Sequence, residues 1–293
     1  MPVERERFPL PPVSGEERLR GDSEKDRGRF RSTILDYYAW AGRTMPWRDQ
    51  PTPYWVFVSE MMLQQTQVKR VLVKFLPFVA RFPSFPALAE AAFSEILSKW
   101  SGLGYNRRAR FMHRAAQEVV TGHNGQLPSE PQQLQALPGI GPNTAGSIAA
   151  FAYNRPVVFI ETNIRRVFLH FFFPREEQVH DRQLFPLIET TLFREDPRRW
   201  YWALMDYGVA LARVTENPNR RSRHYMRQKP FVGSDRQLRG RILKALTESG
   251  SLSAAELPMV TGADRARSEA VAAKLETEGL LARDAPDRWT IAD

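Results

Sequence analysis

Leu137-Pro-Gly-Ile-Gly141, followed by Pro142-Asn-Thr-Ala-Gly146, lies between two stretches of helical period. It constrains the chain more than any other segment. A helix, a Gly-x-Gly turn and a new helix start make a helix–hairpin–helix. The glycines let a phosphate approach the backbone, and the next helix aims free N–H groups and a positive dipole end at it. Such a turn grips DNA backbone without reading sequence. Its bland alternative is an ordinary tight turn between helices. The DNA reading makes Leu137, Gly139, Gly141 and Thr144 candidate contacts.

The apolar pattern around this motif predicts an all-α domain over residues 32–233, without period-two alternation. Ile34, Leu35, Tyr38 and Ala39 share one face of a first helix. Val56 to Phe78 reads as a single further helix, which Pro77 should stop or kink. Residues 1–31 are nearly half charged and carry four prolines, so they are expected to form a disordered arm. Residues 234–293 read as three helices and then two short strands around Asp284-Ala-Pro-Asp287, the pattern of a winged-helix-like module.

Net charge is +9, and the chain has 42 Lys+Arg against 33 Asp+Glu. The arm and the C-terminal module are each nearly neutral, so the helical middle holds the basic excess. Nucleic acid is the partner class this favours. Cysteine is absent, which excludes disulfides, thiolate metal sites and a thiol nucleophile. The five histidines show no short metal-ligand spacing, so no metal is expected. No apolar run approaches the roughly 20 residues that span a bilayer. Together with an N-terminus lacking an apolar core, this leads us to expect a cytoplasmic, cofactor-free protein.

Two carboxylates stand out. In Phe159-Ile-Glu161-Thr-Asn163-Ile-Arg165-Arg-Val167, Glu161 precedes a helix, where a carboxylate is by default an N-cap. Glu60 follows Met45-Pro-Trp-Arg48 and sits among Val58, Met61, Met62 and Leu63. Desolvation there would raise its pKa, and a carboxyl that keeps its proton can act as a general acid. The alternative is a rim glutamate paired with Arg48 or another arginine.

Taken together, Pro46-Trp-Arg48, Val58-Ser-Glu60-Met-Met-Leu-Gln-Gln-Thr-Gln67, Gly102-Leu-Gly-Tyr105 with Arg108-Ala-Arg110, and Leu137–Gly141 resemble the helix–hairpin–helix DNA glycosylases of the MutY adenine type. Thr144-Ala-Gly146, Asn163–Val167 and Leu204-Met-Asp206-Tyr-Gly208 fit as well. The resemblance implies a glycosylase fold of two helical subdomains. It also implies a monofunctional base-excision enzyme acting as a monomer on double-stranded DNA, near the nucleoid in a bacterium. Glu60 would protonate the departing adenine, opposite guanine or 8-oxoguanine. Glu161 would stabilise the sugar cation and Asn163 would support it. Arg48, Trp47, Leu63 and Asp206 would surround the extruded base. Gln65 and Tyr105 would stand near the gap left in the duplex. Arg165, Arg220 and Arg221 would meet phosphates.

Four departures qualify the match. Glu161 stands where the family has aspartate. The basic segment Ala212–Tyr225 has no cysteine where relatives hold a [4Fe–4S] cluster, which points to the clusterless branch. The C-terminal module is not the family's Nudix-like domain, and it could instead dock a protein partner. Asn143 occupies the position of the Schiff-base lysine of lyase-active relatives, and an amide cannot form that imine. A glycosylase for a damaged pyrimidine or alkylated purine, or a non-catalytic DNA-binding homologue, are the alternatives.

Overall fold

The computed structural model describes Leu19, residues 23–226 and residues 230–293. The helices in chain order are α1 (Glu24–Ala41), α2 (Pro46–Asp49), α3 (Pro53–Leu63), α4 (Val68–Arg81), α5 (Phe85–Ala89), α6 (Phe93–Trp100), α7 (Arg107–Gly122), α8 (Pro131–Ala136), α9 (Pro142–Tyr153), α10 (Thr162–Phe172), α11 (Asp181–Thr191) and α12 (Pro197–Val214). The C-terminal segment follows as α13 (Asp235–Ser249), β1 (Ser251–Ser253), α14 (Leu257–Thr261), α15 (Arg265–Thr277), β2 (Leu281–Ala285) and β3 (Arg288–Ile291). Among the described residues, no helix is long and apolar enough to cross a membrane.

The chain forms two compact units, Met1–Thr44 with Gly146–Arg227, and Met45–Ala145 with Gln228–Asp293. These units cut across the sequence ranges 32–233 and 234–293. The winged-helix segment belongs to the same unit as α2–α8.

The first unit is organised around Phe30. Its ring meets Phe168, Phe171, Phe172 and Trp200 edge-on, at centroid distances of 5.1 to 5.7 Å. Phe30 lies in α1, which begins at Glu24 under a Ser23 cap. The expected disordered arm therefore does not extend to residue 31, because Phe30 buries there. The rest of that expectation, apart from Leu19, falls outside the described residues. The buried face of α1 is Phe30, Ile34 and Tyr37, while Ala39 is exposed, so the expected apolar face is rotated.

In the second unit, Trp100, Phe57, Phe75, Phe78, Phe82 and Phe93 are fully buried. The stretch Val56–Phe78 is broken into α3 and α4, and the break has a physical cause described below. Pro77 lies inside α4 and does not end it. The carbonyl it leaves without a donor is that of Val73, a residue 72% exposed, so water can serve it.

The C-terminal segment adds a small antiparallel sheet in the order β1-β3-β2. Strand β1 spans only Ser251–Ser253, too short for alternation to reveal it in the sequence. Arg110 of α7 holds this segment in place. Its guanidinium donates to the Gly279 carbonyl at 2.7 Å and to the Ala292 carbonyl, and lies 3.8 Å from the Phe93 ring centroid. Burial lowers its pKa. The Asp293 carboxylate accepts from the Ser94 N–H (2.7 Å) and hydroxyl (3.0 Å) in the first turn of α6. Replacing Arg110 with alanine is expected to cost about 2–3 kcal/mol of unfolding free energy, since two carbonyls lose a charged donor. Amide exchange should accelerate first in β2 and β3. An equal acceleration across α10 would show that the arginine does not hold this segment in particular.

Candidate active site

The break between α3 and α4 is imposed by Arg108. Its guanidinium donates to the carbonyls of Met61 (3.0 Å) and Met62 (2.8 Å) in the last turn of α3. It also donates to the Thr66 hydroxyl (2.8 Å) and the Gly104 carbonyl (2.9 Å). Helix-terminal carbonyls lack intrahelical donors, so a buried cation there is well placed. Burial lowers the Arg108 pKa to about 10, which leaves it charged at neutral pH. One side chain thus ties together the loops that carry Gln65 and Tyr105.

Both loop tips are left-handed, at φ +54° for Gln65 and +47° for Tyr105. Non-glycine residues take this conformation at a cost and keep it where the surroundings enforce it. Gln65 is exposed and Tyr105 is 37% exposed. Two side chains expected near a duplex gap therefore project from fixed, strained tips.

The helix–hairpin–helix turn is held to the same helix end. Gln64 Nε2 donates to the Gly139 carbonyl (3.1 Å) and the Thr144 hydroxyl (3.2 Å). Gly139 has φ +77°, and a Cβ there would lie 2.6 Å from Phe111 Cβ, so only glycine fits. Gly141 is exposed with nothing within 4 Å of an added Cβ, and Pro142 and Asn143 are exposed beside it. That is the open backbone a phosphate needs. Leu137 is buried and anchors the turn, so it is not a surface contact.

Elsewhere in this unit Trp47 and Arg48 are buried, and the Trp47 ring meets Phe75 edge-on at 5.0 Å. Glu60 and Leu63 are half-buried on α3, while Val58, Met61 and Met62 are buried. Glu60 lies at the side of α3 that leaves the core.

The second carboxylate belongs to the other unit. Glu161 is the N-cap of α10, and its Oε1 accepts from the N–H of Asn163 (2.7 Å) and Ile164 (2.8 Å). Oε2 accepts from Asn163 Nδ2 at 3.2 Å. Asn163 Oδ1 in turn accepts from Arg166 Nη1 (2.7 Å), which also donates to the Gly208 carbonyl (2.8 Å). Helix α12 can approach so closely because residue 208 is glycine, where a Cβ would stand 2.6 Å from the Asn163 carbonyl oxygen. Desolvation raises the Glu161 pKa, outweighing the two backbone donors and the nearby Arg166 and Arg165. Asp206 is buried on α12, and its carboxylate accepts from the Arg43 backbone N–H (2.7 Å) and guanidinium (2.8 and 2.6 Å).

Three predicted phosphate contacts are engaged within the fold. Arg165 is paired with Asp181 at 2.6 Å. Arg221 donates to the Leu169 carbonyl at 3.0 Å, and burial lowers its pKa. Arg220 is exposed and paired with Glu216 at 2.7 Å. Gln64, Arg108, Arg166 and Arg43 carry the site's geometry, yet none was singled out from the sequence. Gln64 and Arg108 fall within quoted motifs. Arg43 had no local signal, since its partner lies 163 positions away.

Residues 58–184 match the HhH-GPD superfamily of base excision DNA repair proteins. The chain is 30% identical over 287 residues to the adenine DNA glycosylase of Mycobacterium tuberculosis (strain H37Rv), covering 89% of this chain and 92% of that relative. The chain belongs to the adenine DNA glycosylase family. The Buchnera aphidicola (subspecies Baizongia pistaciae) adenine DNA glycosylase is 36% identical over 191 residues, but this chain spans only 54% of its length. A thermostable thymine-DNA glycosylase superposes with a TM-score of 0.58 at 26% identity, covering 63% of this chain and 86% of that one. An endonuclease III in a trapped covalent complex with DNA shares the fold, with a TM-score of 0.51 at 16% identity over 71% of this chain and 91% of that one.

The cluster implied by the family resemblance does not fit this member, which has no cysteine to ligate iron. The segment after α12 folds by other means. Pro218–Arg221 form a 3-10 turn with Pro218, Asn219 and Ser222 buried. Asn219 Nδ2 donates to the Thr162 carbonyl at 3.0 Å, and Val179 donates its N–H to the Arg221 carbonyl and accepts from the Arg223 N–H. Its contact at Thr162 falls one residue from Glu161.

Because folding raises the Glu161 pKa above 4.5, the folded state holds a proton that the unfolded chain has released. Stability therefore falls as pH rises through the interval between the two pKa values. Glu161→Gln, which keeps a cap acceptor without the charge, should remove this slope and gain on the parent as pH rises. Denaturant melts from acid to neutral pH would show it. Parallel curves for the two proteins would mean that the carboxylate is solvated.

Proposed function

We propose that this protein is a monofunctional adenine DNA glycosylase of base excision repair. It flips a mispaired adenine from the duplex and hydrolyses its glycosidic bond to leave an abasic site. The observation that carries this reading is the Arg108 clamp, which presents Gln65 and Tyr105 on strained tips in the same unit as an open helix–hairpin–helix turn. An extruded base leaves a gap that side chains must fill, and fixed tips fill it without further ordering. The near full-length match to a mycobacterial adenine DNA glycosylase favours adenine as the base, opposite guanine or 8-oxoguanine.

In this reading Glu60 supplies the proton to the base as the C1′–N bond breaks and its electron pair leaves with the adenine. Trp47, Arg48 and Leu63 shape the base pocket, and the family resemblance gives Asp206 a role at the base as well. The Glu161 carboxylate opposes the positive charge on the sugar. Its anion is held desolvated by burial, so a cation forming beside it relieves that cost. Asn163 and Arg166 fix its orientation. Water then adds to C1′, and the proton it releases replaces the one that Glu60 gave to the base. Asn143 supplies no amine for a Schiff base, in keeping with hydrolysis without strand cleavage. No cofactor enters the chemistry. The enzyme acts as a monomer on double-stranded DNA in the cytoplasm, at the nucleoid if bacterial.

A second reading is favoured by the likeness to a thymine-DNA glycosylase, and keeps the reaction while changing the base. Duplexes carrying A:8-oxoguanine, A:G, A:C, T:G and U:G, scored with and without alkali, separate the two. Breaks that appear only after alkali are expected, with the adenine duplexes cut fastest. Glu60→Gln is expected to bind the best duplex as the parent does and to lose about 10²-fold or more in single-turnover rate. Near-parental cleavage by that variant would remove Glu60 from the mechanism.

A further inference from the structure

The C-terminal segment reaches the second strained tip through Arg236. This residue lies in the first turn of α13, and its Nη1 donates to the Tyr105 hydroxyl at 2.8 Å. Its guanidinium lies 5.8 Å from the Tyr105 ring centroid, and that of Arg108 lies 5.6 Å from the same centroid. The ring is thus flanked by two cations while 37% of the residue stays exposed. A cation in the first turn of a helix gains nothing from the helix dipole, which favours anions there. Stability of α13 does not account for this arginine. The neighbouring Asp235 does suit that end of the helix, and pairs with Arg267 (2.9 Å) and Lys274 (4.0 Å) of α15.

The anchorage of the segment makes this contact rigid. Arg110, five residues after Tyr105, bonds the Gly279 and Ala292 carbonyls, and Asp293 bonds Ser94. The phenol is therefore tied at its backbone by Arg108 through Gly104, and at its hydroxyl by a residue from the opposite end of the sequence.

We propose that Arg236 is a positioning residue for Tyr105, and that the C-terminal winged-helix segment thereby works as part of the DNA-binding machinery and not as a separate docking module. The proposal rests on the glycosylase reading, in which Tyr105 stands at the gap left by the extruded base. Stacking of an aromatic ring on bases depends on its orientation, and a second tether at the hydroxyl fixes the direction in which the side chain projects. The guanidinium also brings a positive charge to the phosphates flanking that gap.

The test measures how strongly the full chain prefers a short duplex with a tetrahydrofuran abasic site opposite guanine over the same duplex intact. No cleavage is needed. Arg236→Ala and Tyr105→Phe should each lower the preference about threefold to tenfold, the worth of one net hydrogen bond. The double variant should lose no more than either single one, and Arg236→Lys should recover part of the loss. Thermal melts of each variant are recorded alongside, and replacing Arg236, half-buried at the start of α13, should shift the melt by no more than the loss of one hydrogen bond. An unchanged preference in Arg236→Ala, an unchanged preference in Tyr105→Phe, or multiplicative losses in the double variant would overturn the proposal. A parent that binds both duplexes equally would instead overturn the gap-filling role of Tyr105, and the proposal would fall with it.

Discussion

The buried guanidinium of Arg108 is the contact on which the unit that contains α2–α8 depends. Taking a charge out of water costs several kcal/mol unless dipoles replace the solvent. Here the carbonyls of Met61, Met62 and Gly104 and the Thr66 hydroxyl do so. Because those acceptors come from the end of α3 and from two loops, one desolvated cation sets where α3 ends and how the Gly102–Tyr105 loop returns. Gln64, the residue after α3, then reaches the Gly139 carbonyl and Thr144. The helix–hairpin–helix turn and the loop tips at Gln65 and Tyr105 are thus referred to one helix end.

The other unit solves a different problem. It orients a carboxylate whose charge burial makes costly. The cap bonds engage one oxygen of Glu161, and Asn163 engages the second. Arg166 then locks Asn163 against the Gly208 carbonyl, where the absence of a Cβ allows the contact. The cap reading and the catalytic reading of Glu161 do not exclude each other. A carboxylate that accepts backbone N–H groups is fixed in place, and burial keeps its charge costly. Asn219 and Arg221 tie the segment after α12 to the α10 carbonyls of Thr162 and Leu169, so Arg221, expected to face phosphate, does structural work instead.

Much of this was legible in the sequence because it is local. The helix-forming stretches, the Leu137–Gly141 turn, the Glu161 cap position and the winged-helix segment each depend on residues within a few positions of one another. Periodicity, glycine geometry and capping report such features directly. The absence of cysteine also decided at once that no thiolate-held cluster could form.

Tertiary structure alone decided which side chains carry the geometry. Val56–Phe78 has one helical period, yet the chain breaks at Gln64–Gln67 because Arg108, more than 40 positions away, binds the carbonyls there. Arg165 and Arg221 look in sequence like free cations, but Asp181 and the Leu169 carbonyl engage them. Asp206 and Arg43, and Tyr105 and Arg236, are pairs separated by more than 100 positions. A local pattern shows that a residue can be apolar, capped or turned. Which distant donor meets which acceptor is set only when the chain closes, because burial obliges each polar group to find a partner wherever the fold supplies one.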